Sequence, residues 1–587
     1  MTLSMTYPTS DLASLAELLI AAGVPEAYVA PTAAALGDRA TDVLRSDPWQ
    51  LLLVPGVGPR QADHFARGLL GDDADPGDPR RGPALVMHLM LRAARDGDTS
   101  VPVPKVVADL STLKVADPVR AVMGALDEAR VIGFAIEPDE PADFDEDLPE
   151  PEEFLSLAHY AMAEEAVSEG IMRLAATAEP LPGAGLEEGG PATAMALRHG
   201  VSVISGPGTE AAVGALSAAV DGLRVVVVTA TDRSAVDLAP LVGPAAGPAT
   251  APPADDGGDA GDAGGVSVLS THRLLEAHEA PGGIAFARGE LRPLDAELIV
   301  VMEAPALGLE LAAALVEACA DGTHLVLAGD PAGLPPAGPG QVFADVAASG
   351  TVPVTELPEI DEPSGPIGVL TTAVRRGELP RVDAPDREVV IVPAADPHEA
   401  VHRAVQLIAD SIPRALGVPT GEIQVVTPAQ RGDAGAIALN AALKARLNPG
   451  PGAYGGFDIG DRVVVTAALP GAPAGETGTV SGAGGGGLEI TFTGGVTAVP
   501  AALLSRLRHG WAITIQMSQG THWPAVIAVL PAEVGPLLSR PLVLTAASRA
   551  RRHLSVVHAA GPALARAVRE VRTPPRQTRL TGLLQGQ

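Results

Sequence analysis

The sequence predicts an α/β protein built on two parallel sheets, preceded by a helical region and interrupted by a small β unit. Three observations predict it. Short apolar runs at 201–204, 223–228, 298–301 and 325–328 each end in a loop rich in Gly, Pro or polar residues, with helix-length segments between them. Continuous β-branched runs without polar alternation are what strands covered on both faces require. A second set follows at 388–392, 422–427, 525–530 and 554–557. Between the two halves of that set, the segments 460–465, 478–480, 488–492 and 496–499 are strand-length pieces joined by Gly-rich turns.

Composition bounds the rest. A chain of 587 residues with 47% hydrophobic content is long enough for several domains and too apolar to be disordered. One cysteine, Cys319, excludes a disulfide framework and a Cys-based zinc cluster, and its alanine-rich helix marks it as a core residue. No apolar run long enough to span a bilayer occurs, and residues 1–11 lack a basic start before an apolar stretch, so a cytoplasmic protein is expected. The net charge of -31 argues against coating nucleic acid by bulk electrostatics. A local site remains possible, because screening limits each charge to about 8 Å. From Arg540 to the C-terminus nine arginines face one acidic residue, Glu570, giving a basic tail.

In chain order, residues 1–136 are expected to be helical, and within them 47–70 form a helical hairpin. Pro55 ends the first helix, Gly56 and Gly58 give the turn its freedom, and Arg60 opens the second helix. This resembles a helix-hairpin-helix, whose turn amides hold a DNA phosphate; the same residues also suit a purely structural hairpin. Residues 137–153 carry ten acidic residues and four prolines and are expected to be a solvated linker. Residues 154–174 show helical periodicity. The first sheet domain is placed at 154–385 with a Gly/Pro/Asp spacer at 243–265, and the second at 386–587 with the β unit at about 455–502.

Seven segments in order carry a family resemblance. They are the loop around Gly206, Pro207, Gly208 and Thr209; TATDRSAVDL at 229–238; STHRLL at 270–275; the strand ending Met302-Glu303; GDPAGLPPAGPG at 329–340; TIQMSQG at 514–520; and TAASRAR at 545–551. The chain resembles the RecD/TraA-type superfamily-1 DNA helicases. The resemblance implies two RecA-like domains of the P-loop NTPase type, with ATP between them and single-stranded DNA across both. It also implies an N-terminal helix-hairpin-helix and an SH3-like insertion, with a role in DNA repair or recombination.

The chemistry of the phosphate loop departs from that pattern. Such a loop needs G-x-x-x-x-G-K-[ST], the lysine neutralising the outer phosphates and the hydroxyl holding magnesium. Here Ser205, Glu210, Ala211 and Ala212 stand at the four defining positions, while Gly206, Pro207, Gly208 and Thr209 survive. Losing the lysine removes a charged contact of about 1.5–3 kcal/mol. A carboxylate roughly 5 Å from a phosphate adds about 3 kcal/mol of repulsion per unit charge at an effective dielectric of about 20. Together these cost on the order of 10³-fold in affinity. Met302 replaces the metal-binding aspartate, Gly333 a glutamine, and Glu359 an arginine, while Gly189 aligns loosely with an adenine-reading glutamine. The surviving candidates are Glu303 to activate water, Arg549 as an arginine finger, and Asp330 and Gln519 as nucleotide contacts.

For DNA the candidates are Gly56, Gly58 and Arg60 in the hairpin, then Thr231, Arg233, His272, Arg431 and Thr514 in the sheet domains. His272 and Arg273 suit a packed histidine and a surface arginine equally well, and Trp523 suits the core better than a stacked base. The reading is a DNA-binding pseudo-helicase, with no metal and no cofactor expected, away from membranes and with a protein partner in a DNA-processing complex as a further expectation. Two alternatives stand: an active 5′ to 3′ helicase using ATP and magnesium at an unorthodox site, and a protein scaffold that binds no DNA.

Overall fold

Valine-rich runs that bury both faces pair most readily with one another, and in the computed structural model they assemble two parallel sheets. The structure describes residues 9–71, 75, 77–136, 151–183, 190–242, 247–248, 265–280, 283–360, 363–484, 486–571 and 573–586. Residues 137–150 of the acidic linker, almost all of the 243–265 spacer, and Gly189 lie outside them. The chain divides into two compact units: Met1–Glu165 with Gly338–Gly340 and Arg576–Gln587, and Ala166–Ala337 with Gln341–Pro575.

The first unit is not wholly helical. Strands β1 (Ser100–Pro102), β2 (Val131–Ile136) and β3 (Glu152–Leu157) form an antiparallel sheet in the order β1-β3-β2. Two expectations are thereby corrected. The linker's last two residues, Glu152 and Glu153, begin β3, and 154–157 is strand, the helix starting only at Ala158 (Ala158–Thr177). Phe154, Leu155 and Leu157 are buried on β3, and cross-strand pairing there overrides the helical spacing of the sequence. The helices pack around Trp49, Phe65, Leu85 and Met90. Arg81 and the Trp49 indole both donate to Asp63, at 2.8 and 2.9 Å, and hold its carboxyl below the usual range despite burial.

In the second unit the strands are β4 (Val201–Ser205), β5 (Arg224–Thr229), β6 (Gly247–Pro248), β7 (Gly265–Ser270), β8 (Ala277–Ala280), β9 (Gly283–Phe286), β10 (Leu298–Val301), β11 (His324–Gly329) and β12 (Val354–Glu356). Apart from the β8–β9 hairpin, they make one parallel seven-stranded sheet, ordered β12-β4-β11-β10-β5-β7-β6. The chain continues through β13 (Val389–Pro393), β14 (Ile423–Thr427), β15 (Arg462–Val465), β16 (Thr477–Gly484), β17 (Gly487–Phe492), β18 (Gly495–Pro500), β19 (Leu507–His509), β20 (Ala512–Thr514), β21 (Trp523–Leu530) and β22 (Ala550–His558). The second parallel sheet is ordered β13-β22-β21-β14-β20; β15 to β19 form a five-stranded antiparallel sheet ordered β18-β17-β16-β15-β19.

That antiparallel unit is anchored by charge. Arg462 is buried and donates to the Ile423 carbonyl and to Gln424 Oε1 at 2.9 and 2.7 Å; burial pushes its guanidinium down to about 9. Lys444 reaches Asp458 and Asp461, both at 2.7 Å. Among the described residues no helix is long and apolar enough to cross a membrane, and no cluster of His, Cys, Asp or Glu suits a metal ion. Cys319 is buried, which pushes its thiol up to about 12.

Candidate nucleotide crevice and nucleic-acid interface

Ligands of open parallel sheets sit beyond the carboxyl ends of the strands. Here the ends of β4, β10 and β11 deliver the loop at Gly206, then Glu303, then Asp330, to one crevice of about 320 Å³. Gly206 (φ +124°) and Gly208 (φ +82°) take backbone angles that favour glycine, and Gly208 caps the helix Thr209–Ala219. The opposite wall comes from the second sheet domain: Gln519 and His522 before β21, and Thr545, Ser548, Arg549 and Arg551 around the start of β22.

The arginines of the crevice are paired with carboxylates of the chain, although the buried Nη1 of Arg549 has no hydrogen-bond partner. Arg551 donates to Glu210 at 2.5 and 3.0 Å, and Glu210 sits in the first turn of Thr209–Ala219, where a helix favours an anion. Arg549, only 5% exposed, donates to Glu303 at 3.2 Å, to Ser548 Oγ at 3.0 Å and to the Thr545 carbonyl at 3.2 Å. Arg375 makes a two-pronged pair with Asp330, and Glu359 pairs with Arg376 at 2.8 Å. Glu303 itself takes a left-handed backbone (φ +52°), uncommon outside glycine. His522 lies between the two crossing pairs, with Nδ1 3.2 Å from Arg551. Burial and the charges of Arg549 and Arg551 hold it well below its usual pKa, so the neutral ring accepts that bond. Gln519 donates to the carbonyls of Leu334 and Pro335 at 2.7 and 3.1 Å.

The structure thus gathers the nucleotide candidates Gly206, Pro207, Gly208, Thr209, Glu303, Asp330, Gln519 and Arg549 into one crevice. Sequence reasoning missed Arg551, Arg375 and His522. A carboxylate at 210 signals a nearby cation, but nothing local points to a partner 341 residues away.

The DNA candidates disperse. Thr231 is buried, its hydroxyl 2.8 Å from Ser234 and 2.9 Å from Thr521, so it packs rather than faces solvent. Arg233 donates to the His522 carbonyl at 3.2 Å and stacks over Trp523, which is fully buried. His272 packs edge-on against Phe286, and burial pushes it down to about 4. Its neighbour Arg273 pairs with Asp232 at 2.5 Å, and Ser270 donates to the same carboxylate at 2.5 Å. Thr514 accepts from the Met517 amide at 3.3 Å. Arg431 is exposed in the turn after β14. Glu476, from the antiparallel unit, was missed: buried, it accepts the Asp232 amide at 2.7 Å at the start of helix Asp232–Val242. Burial and the Asp232 charge push it up to about 7.

In the N-terminal unit, the hairpin joins a 3-10 helix (Pro48–Leu53) to the helix Pro59–Leu70. Asp47 accepts the Trp49 amide at 3.1 Å and starts the first turn. Gly56 needs its left-handed angle (φ +88°), whereas Gly58 is extended, so only the first of the two glycines supplies unusual freedom. Gln61 accepts the Gly58 amide at 2.9 Å, committing one amide of the turn, and Arg60 is exposed.

Three family models match: the ATP-dependent RecD2 DNA helicase HHH domain over residues 9–100, an AAA domain over 193–384, and the UvrD-like helicase C-terminal domain over 509–557. The chain is 30% identical over 525 residues to the ATP-dependent RecD2 DNA helicase of Deinococcus radiodurans, covering 88% of this chain and 70% of that protein. It is 29% identical over 317 residues to the RecBCD enzyme subunit RecD of Mycolicibacterium smegmatis, covering 50% of this chain and 56% of the subunit. A Bacteroides Pif1 helicase structure with ADP-AlF3 and ssDNA aligns at a TM-score of 0.32 and 13% identity, over 61% of this chain and 88% of that one. With the RecD2 helicase-hairpin model at its N-terminus and a RecD2 relative matched along most of both chains, this protein belongs to the RecD-like family of superfamily-1 DNA helicases.

Proposed function

We propose that this chain is a DNA-binding RecD-like protein whose crevice does not support efficient ATP hydrolysis, acting in DNA repair or recombination in the cytoplasm. In this reading β15 to β19 are its SH3-like insertion. The observation that carries the proposal is the ion pair of Glu210 and Arg551 at the phosphate loop. A carboxylate occupies the helix start where a phosphate would be held, and the arginine opposite is spent on it. Ala211 and Ala212 offer neither the ammonium nor the hydroxyl that a magnesium triphosphate needs. Arg549 and Arg375 are likewise committed to Glu303 and Asp330. The residues present do not fit that ligand.

DNA as partner rests on the helicase names of the relatives and on the exposed Arg60 at a helix start. Phosphate release with single-stranded DNA present tests the proposal, alongside filter binding without nucleotide. Retention on DNA with release at background is expected. DNA-stimulated release that Arg549→Ala abolishes would favour the active-motor alternative. No retention at low salt would favour a scaffold.

A further inference from the structure

Two ion pairs cross the crevice. Glu210 and Glu303 belong to the first sheet domain; Arg551 and Arg549 belong to the second. The pairs flank the partly buried His522, whose neutral ring accepts from Arg551 at Nδ1. A single half-exposed pair contributes little. The weight falls on Arg549, which is 5% exposed: without Glu303 its charge would face a buried wall with no counter-ion, a costly arrangement. Gln519 adds a neutral tie across the same gap through the Leu334 and Pro335 carbonyls. Thr545, also of the second domain, adds another, its hydroxyl accepting the Leu334 amide at 2.9 Å.

We infer that Glu210 and Glu303 are resident anions that bridge the two sheet domains in place of a bound nucleotide's phosphates, latching the domains in one closed arrangement with no ligand present. The chemistry is that of phosphate recognition: an arginine fork closes on an oxyanion, and here the oxyanion is built into the chain. The latch rests on the preceding proposal only in taking the crevice to be free of nucleotide. Its functional consequence is a static clamp, with a DNA affinity that does not respond to nucleotide.

The test places one spin label on each domain, at Val236→Cys and Ile437→Cys, both exposed positions, while buried Cys319 stays unlabelled. Distances are recorded in the full chain with no nucleotide and with millimolar magnesium–ATP. The latch predicts one narrow distance distribution, unchanged by nucleotide. Glu210→Gln with Glu303→Gln, which keeps side-chain shape, raises the open fraction roughly tenfold. The swap Glu303→Arg with Arg549→Glu, made at the pair that carries the weight, keeps the narrow distribution, showing that charge pairing and not folding is what the glutamine variant lost. A broad distribution in the unmodified chain, or a double glutamine variant indistinguishable from it, overturns the latch. Calorimetry on the same samples separates the two readings. Saturable ATP binding defeats the impaired-motor proposal, whereas the distances alone decide the latch.

Discussion

The hairpin of the N-terminal unit and the crevice of the sheet domains both have a helix start suited to an anion, yet they treat positive charge in opposite ways. At the hairpin, Arg60 stands exposed at the first turn of Pro59–Leu70. In the crevice, Arg375, Arg549 and Arg551 each meet a carboxylate of the same chain. The residue type is the same; what differs is whether water or a carboxylate surrounds it. A cation that already holds a carboxylate must release it before holding a phosphate, and that exchange brings little net gain. Under the proposed function, phosphate affinity belongs to the hairpin rather than to the ancestral nucleotide loop.

The comparison is most sharply broken by rebuilding the crevice. Glu210→Gly with Ala211→Lys and Ala212→Thr restores the lysine, the hydroxyl and the second glycine while freeing Arg551. Nucleotide affinity measured by calorimetry should rise on the order of 10³-fold over the natural chain. No change would mean that the loop backbone itself has lost its shape.

The hairpin is tested by charge reversal. Arg60→Glu should weaken single-stranded DNA binding about tenfold or more. Arg60→Ala should reduce the slope of log affinity against log salt by about one, measured by fluorescence anisotropy. If neither changes binding, the hairpin is structural and DNA contact lies elsewhere.

The smallest effect concerns Glu476, faced by Asp232 and Arg233. Its folded pKa, about 7, lies above its ordinary 4.5, so the fold favours the neutral form. Stability contributed by this group is full below about 4.5 and is lost as pH rises to about 7. Glu476→Gln keeps an acceptor for the Asp232 amide without the ionisation. Its melting temperature should lie close to that of the natural chain at pH 5 and exceed it at pH 8. His272, held down to about 4, gives the opposite trend and is common to both proteins, so it cancels.

How much of this was legible depended on the range of the interaction. Runs buried on both faces announced themselves: 298–301 is β10 to the residue, and 201–204, 325–328 and 525–530 differ from β4, β11 and β21 by one or two residues at an end. Three-residue strands such as β12 and β20 carried no periodicity to read. The apolar part of β3, residues 154–157, was hidden because its apolar residues run on in register with the helix that follows. For the site, the glycines and missing ligands of the phosphate loop were plain in the sequence. The pairing of Glu210 with Arg551 was not, because it depends on how two sheets face each other. Thr231 misleads in a similar way: its hydroxyl looks like a ligand contact until burial shows it packed, whereas Trp523, read as core, is fully buried.

The reach of Glu476 from the antiparallel unit to the Asp232 amide has a consequence for hydrogen exchange. That amide begins a helix of the first sheet domain, but its acceptor belongs to an insertion of the second. Its proton can be traded for solvent deuterium only when the insertion lifts away, whatever the state of its own helix. One backbone position would therefore clock the detachment of a separate module, and its protection would fall with that of β15 and β16 rather than with the helix Asp232–Val242.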